Sequence, residues 1–153
     1  MRRLLLGLGF AVLSACGGAT PDYALNFIGT WIGTSVFANA HPPTVLATFQ
    51  AEALISSTTP NVVAVSGACN LPDNSHLASS VNAMVTSATE FNTTDSYVCP
   101  KTQNSSCASI VDTVTALGGT LDSNGTLTLN LALTEDYCGA FGYFTVAFTA
   151  TKS

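Results

Sequence analysis

Charged side chains are scarce in this sequence: they make up 8% of its residues, with four Lys or Arg and nine Asp or Glu among 153. Nucleic acid and anionic surfaces are recognised by clustered Lys and Arg, so no nucleic-acid partner is expected. The long helix formers Lys, Glu and Arg are nearly missing, which disfavours a helical bundle. Catalytic groups are equally sparse. The only histidines, His41 and His76, stand beside turn residues and read as solvated loop side chains. There is no nucleophile elbow, phosphate loop, dinucleotide fingerprint or paired-histidine metal spacing. Glu135 and Asp136 are adjacent in a stretch that reads as a loop, so they too read as solvated. The chain is therefore expected not to be an enzyme, with no catalytic residues, no metal and no cofactor.

The polar residues that are present are mostly Thr, Ser and Asn, and β-branched Thr suits the exposed face of a pleated sheet. Alternation marks the strands. Residues 27–37 place Phe27, Gly29, Trp31, Gly33, Ser35 and Phe37 on one face. Residues 44–55 place Val45, Ala47, Phe49, Ala51, Ala53 and Ile55 together. Residues 56–61 read as a turn and 62–69 as a short strand, followed by turn chemistry at 71–75. Residues 77–86 fit neither period well and are read as a strand, as are 88–98 and 108–121. Asp122-Ser123-Asn124-Gly125 is a hairpin signal, because Asn-Gly accepts the positive φ of a tight turn. Leu127, Leu129, Leu131 and Leu133 then alternate with Thr126, Thr128, Asn130 and Ala132. A loop over 134–142 leads to a last strand, 143–151, with Phe144, Val146, Phe148 and Ala150 on its apolar face. Seven or eight strands with short connections predict an all-β fold, a small antiparallel up-and-down barrel or, as the alternative, a β-sandwich.

The amino terminus carries an address. Arg2 and Arg3 precede a ten-residue apolar segment, 4–13, which is shorter than the roughly 20 residues a spanning helix needs. Leu13-Ser14-Ala15-Cys16 follows and resembles the lipobox of bacterial lipoprotein precursors. The resemblance implies a signal helix cut away before Cys16, diacylglycerol on the Cys16 thiol and a further acyl chain, such as palmitate, on the new amino terminus. Two or more chains make a stable anchor where one holds only marginally. It also implies the cell envelope, and the outer membrane in particular, since no Asp follows the cysteine. Residues 1–15 are then the signal peptide, 16–25 the lipidated cysteine and a flexible tether, and 26–153 a single β domain. Removing the leader takes away two of the four basic residues. Lys101 and Lys152 remain against nine acids, a formal charge of −7.

Gly29-Thr30-Trp31 is similar to the Gly-x-Trp of the opening strand in lipocalin-like and streptavidin-like barrels, where the indole lies over the closed end. The resemblance implies that Trp31 covers the barrel floor. Four further cysteines, Cys69, Cys99, Cys107 and Cys138, form an even set in an exported chain and read as two disulfides. Three pairings are open, with Cys69–Cys99 and Cys107–Cys138 preferred because they tie neighbouring strands. No two of these cysteines have the close spacing of a zinc site.

Two functional readings follow. In the first, the lipid-anchored barrel is non-catalytic and holds a small apolar ligand, with Trp31, Phe49, Phe144 and Phe148 lining its cavity. In the second, a β-sandwich without a cavity serves as a structural or protein-interaction module, its partner an envelope protein. A solvent-connected cavity lined by the inward aromatics favours the first, and a solid core with an exposed apolar patch the second.

Overall fold

The computed structural model describes residues 21–67, 80–93, 96–99 and 110–153. The leader with Cys16, the 71–75 turn, His76, Lys101, Cys69 and Cys107 lie outside the described residues.

Among the described residues a short 3-10 turn, Tyr23–Asn26, precedes nine strands. These are β1 (Gly29–Asn39), β2 (Thr44–Thr59), β3 (Val62–Ser66), β4 (Ser80–Ser87), β5 (Glu90–Thr93), β6 (Tyr97–Cys99), β7 (Ile110–Leu121), β8 (Thr126–Tyr137) and β9 (Ala140–Lys152). Sequence neighbours pair antiparallel except β5 and β6, and two non-sequential ladders complete the sheet: β1 with β9, and β5 with β7. β5 and β6 pair with successive stretches of β7, around Leu117–Thr120 and Asp112–Val114, so they share one place. The result is a closed ring of eight places, an up-and-down β-barrel. Closure satisfies the edges that a protein with few charged gatekeepers would otherwise expose.

The inward set follows from the alternation. Leu127, Leu129, Leu131 and Leu133 of β8 are all buried, as are Val146, Phe148 and Ala150 of β9, and Trp31, Ala53, Ile55, Val63 and Val65 from β1 to β3. Each large apolar side chain so buried favours folding by about 1.5–3 kcal/mol before entropy is counted. Met84 and Asn82 point out while Val81, Ala83 and Val85 point in, so the described part of the segment that fitted neither period, from Ser80 on, is a strand. At the β1–β9 seam, Gly33 allows close approach. A Cβ there would sit 2.6 Å from Ala150 Cα and closer still to the Thr149 carbonyl oxygen.

Three sequence expectations are corrected. Residues 56–59 are not a turn: β2 runs on to Thr59 and pairs with β3 across a bulge between Ser57 and Thr59, leaving Pro60-Asn61 as the reversal. Residues 134–142 are not a loop, because β8 continues to Tyr137 and β9 begins at Ala140. Only Cys138 and Gly139 turn, with φ of 53° and 89°, while Gly139 N–H donates to Asp136 Oδ1 at 2.7 Å. Glu135 and Asp136 are therefore strand residues, half-buried rather than loop acids. The 3-10 turn before β1 was not anticipated; it takes Phe27 into the core.

Candidate functional site

The two ends of the barrel are built differently. One end carries the β2–β3, β4–β5 and β7–β8 reversals, the 3-10 turn and the end of β9. The other carries the β1–β2 and β8–β9 reversals. The first is closed by the buried side chains of Phe27, Trp31 and Phe91; the second, called the mouth below, is described only at these two reversals.

At the sealed end Trp31 is 1% exposed, and its indole N–H donates to the Phe27 carbonyl at 2.8 Å. Phe27 meets Phe91 edge to face, with centroids 5.0 Å apart at 88°. Gly29 has φ +146°, and a Cβ there would lie 2.5 Å from Lys152 Cε. Its lack of a side chain makes room for the Lys152 stem, whose Nζ stands 5.8 Å from the Trp31 ring centroid, within cation–π range. The Gly-x-Trp spacing thus places the indole on the floor and leaves space for the cation outside it. The 3-10 turn is strapped across this floor. Asp22 Oδ1 accepts from Ala24 N–H (3.1 Å) and Asn61 N–H (2.9 Å), and Asn61 Oδ1 accepts from Tyr23 N–H (2.9 Å). Asn61 Nδ2 donates to the Pro21 carbonyl at 3.2 Å, and Asn26 Nδ2 to the Ala88 carbonyl at 2.8 Å.

Above the floor, at the waist, lies a cavity of about 20 Å³, room for about one water molecule. Ala51, Ala53, Val65, Leu129, Val146 and Phe148 are among its apolar lining. Ser35 also faces it, only 3% exposed, and its hydroxyl makes no hydrogen bond with a described residue. A buried hydroxyl without a partner is uncommon and costs about 1–3 kcal/mol.

At the mouth, Phe37 and Phe144 stack at 5.0 Å with 24° between their planes, both half-buried. Gly142 makes this possible, since a Cβ there would fall 2.7 Å from Phe144 Cε2. Around the rim, Val45, Leu46, Phe141 and Tyr143 are exposed. Glu135 lies on the inward side of β8, and its register partner on β7 is Asp112. His41 is exposed in the β1–β2 reversal, and its bond to Pro42 is cis. No group of three or more His, Cys, Asp or Glu that could hold a metal occurs among the described residues.

The four aromatics proposed as cavity lining are therefore at different levels. Phe148 lines the waist cavity. Trp31 does not, because its ring is consumed in the floor. Phe49 and Phe144 are half-buried toward the mouth and do not border the cavity either. Ser35 was legible only as one more residue on the inward face of the first strand; that face, read level by level against the sealed Trp31, is the signal that could have singled it out.

No family model matches the sequence, and no curated protein matches it. Among solved structures the chain is similar to EF1p2_mFAP2b, determined with DFHBI bound, with a TM-score of 0.50 and 15% identity over 86% of this chain and 98% of that one. It is also similar to the redesigned β-barrel b11L5F_LGL, with a TM-score of 0.43 and 13% identity over 83% of this chain and 94% of that one. At such identities the likeness to EF1p2_mFAP2b is one of fold: a β-barrel.

Proposed function

We propose that the mature chain is a non-catalytic, lipid-anchored barrel of the bacterial cell envelope, outer membrane included, that holds a small, mostly apolar molecule in the mouth half of its interior. The observation that carries this is the Ser35 hydroxyl, buried with no partner among the described residues in a cavity whose lining, Glu52 apart, is apolar, above a sealed floor. A buried hydroxyl in mostly apolar walls suits a ligand with an apolar body and a hydrogen-bonding group. A cavity of about 20 Å³ takes little as it stands, so such a ligand enters by parting the Phe37–Phe144 stack. The complex of EF1p2_mFAP2b with DFHBI supports the reading to the extent that a barrel of this form holds a small molecule. The anchor rests on Leu13-Ser14-Ala15-Cys16.

The test is native mass spectrometry of the protein released from its own envelope in mild detergent with disulfides intact. A covalent increment at Cys16 that Cys16→Ala abolishes supports the anchor, and a second increment that disappears on denaturation supports the ligand. Lack of either overturns the corresponding half. The exposed rim residues Val45, Leu46, Phe141 and Tyr143 favour a second reading, an envelope-protein partner seated on the mouth. A barrel empty of small molecules but cross-linked to one protein through the rim would establish it.

Two disulfides belong to the same reading. Neither Cys99 nor Cys138 is a free thiol, which supports it. They do not suit each other. Cys99 is opposite Asp112, and Asp112 is opposite Glu135, so the two cysteines are two strand spacings apart, about 9–10 Å. Cys138 lies three residues further along, another 10 Å or so, and a disulfide spans at most about 7 Å between Cα atoms. Of the two arrangements left we favour Cys69–Cys99 with Cys107–Cys138. Cys107 is three residues from Ile110, whose ladder partner Tyr137 adjoins Cys138. Non-reducing peptide mapping that links Cys99 to Cys138 or to Cys107 overturns this pairing.

A further inference from the structure

We propose that the barrel stands floor-down on its bilayer, so that the mouth opens away from the membrane and is filled from the aqueous phase. This inference rests on the lipid-anchor reading and adds a direction to it. The start of the described chain is fixed to the floor: Pro21, Asp22 and Tyr23 are all hydrogen-bonded to Asn61 in the β2–β3 reversal. Cys16 is five residues before Pro21, and five residues span at most about 18 Å even when fully extended. The barrel is longer than that. β8 has twelve residues, and at about 3.3 Å per residue with a strand tilt near 40° it climbs about 28 Å along the axis. Turning the mouth toward the bilayer would hold the floor some 28 Å above it, beyond the reach of the tether. The inverted orientation is therefore closed to an anchored chain, whatever the conformation of residues 16–20.

The residues presented to the lipid surface agree with a tethered contact. Tyr23 and Leu25 of the 3-10 turn are exposed, Leu25 at 64%. Charge does not draw the floor down: Asp22, Glu90 and Asp122 lie at this end against Lys152. Orientation is set by tether length and not by attraction to anionic headgroups, so it is insensitive to salt. The consequence concerns supply. A molecule held above Ser35, or a protein on the Val45–Leu46–Phe141–Tyr143 rim, arrives from the water side and is not drawn laterally out of the anchoring leaflet.

The chain carries its own reporter, because Trp31 is its only tryptophan and sits in the floor. The full lipidated protein is reconstituted in phosphatidylcholine vesicles carrying a dansyl-headgroup lipid, and energy transfer from tryptophan to dansyl is measured. Transfer from Trp31 is expected to exceed by several-fold that in Trp31→Phe/Tyr143→Trp, where the donor sits on the rim. Equal transfer, or the reverse order, overturns the proposal. If the double variant fails to fold, Tyr143→Trp added to the intact chain gives the same answer: mean transfer per tryptophan falls if the rim is remote and rises if it is near. Vesicle flotation separates the two levels of the argument. Protein that does not float refutes the anchor itself, whereas protein that floats with the rim donor nearer refutes the direction alone.

Discussion

Gly119 of β7 is directly opposite Phe91 of β5 in the ladder that closes the ring. The space of its missing side chain is filled by the Phe91 ring: a Cβ at 119 would fall 2.7 Å from Cε2 and closer still to Cζ and Cε1. Carbon atoms pack best at about 3.5–4.0 Å, so three ring atoms would have to retreat. They have little room, since Phe91 is 1% exposed and already meets Phe27 edge to face. Two effects of opposite sign act in Gly119→Ala. Reduced freedom of the unfolded chain stabilises by about 0.4–1 kcal/mol, and overpacking costs about 1–3 kcal/mol. The upper end of that cost applies, because the ring can withdraw only if β5 moves with it. A net loss of about 2 kcal/mol is expected. Phe91→Leu removes all three clashing atoms, at a cost of about 1–2 kcal/mol in lost packing. In that background Gly119→Ala becomes neutral or stabilising by up to about 1 kcal/mol. The coupling between the two sites is then about 2–3 kcal/mol, at the high end for residues in contact. Urea unfolding of the four proteins, followed by far-ultraviolet circular dichroism with disulfides intact, measures it. A Gly119→Ala cost that is the same in both backgrounds refutes the steric account of how the ring closes.

Trp31→Phe leaves the buried Phe27 carbonyl without its donor and is expected to cost about 2 kcal/mol in thermal or urea unfolding, with Trp31→Ala at about 3–5 kcal/mol. An unchanged midpoint for either removes the indole from the floor. Ser35→Ala in ligand-free protein is expected to raise stability by about 1 kcal/mol, because it deletes a buried hydroxyl with no partner among the described residues; a loss would mean that the hydroxyl already has a partner. Asp122 accepts from the Thr126 and Asn124 amides at 2.8 and 2.9 Å, and these bonds hold its pKa below the usual carboxylate range. A depressed carboxylate stabilises above its unfolded pKa and loses that contribution as pH falls through the folded one. Asp122→Asn is therefore expected to lower the melting temperature at pH 7, the gap to the parent closing in acid; a gap constant from pH 7 to pH 2.5 refutes it.

The strands were legible where burial and polarity change together. β8 from Leu127 to Leu133 and β9 from Phe144 to Ala150 carry a period of two, because one face meets the core and the other meets water. Where the strands overrun the core that signal ends, yet the backbone ladder does not. Glu135 and Asp136 still pair with Gly142 and Phe141, since main-chain hydrogen bonds are indifferent to side-chain polarity. Ser56 and Ser57 do the same at the other end against Ala64 and Val63. The tight turn between β8 and β9 was hidden for a related reason. A cysteine at positive φ carries no turn signature of its own, and Gly139 was the only visible sign.

The site was legible as a face but not as a level. Alternation places Trp31, Ser35 and Phe37 on one side of β1, and it is silent on which of them is sealed, which borders space and which stands at the rim. Those differences arise from volumes on strands far apart in sequence. At the floor, Trp31 is bonded to the Phe27 carbonyl and Phe27 packs edge to face on Phe91. One level up, Ala51 and Ala53 of β2 face the space in front of Leu129, Val146 and Phe148, and the small side chains leave a gap beside Ser35. A gap of this kind is a sum over residues as far apart in sequence as Ser35 and Phe148. The direction in which it opens, by contrast, depends on local facts: only four residues between Cys16 and Pro21, and an asparagine at 61 to hold Pro21 to the floor. The part of the function most open to test is therefore the side from which a ligand enters, ahead of the identity of the ligand itself.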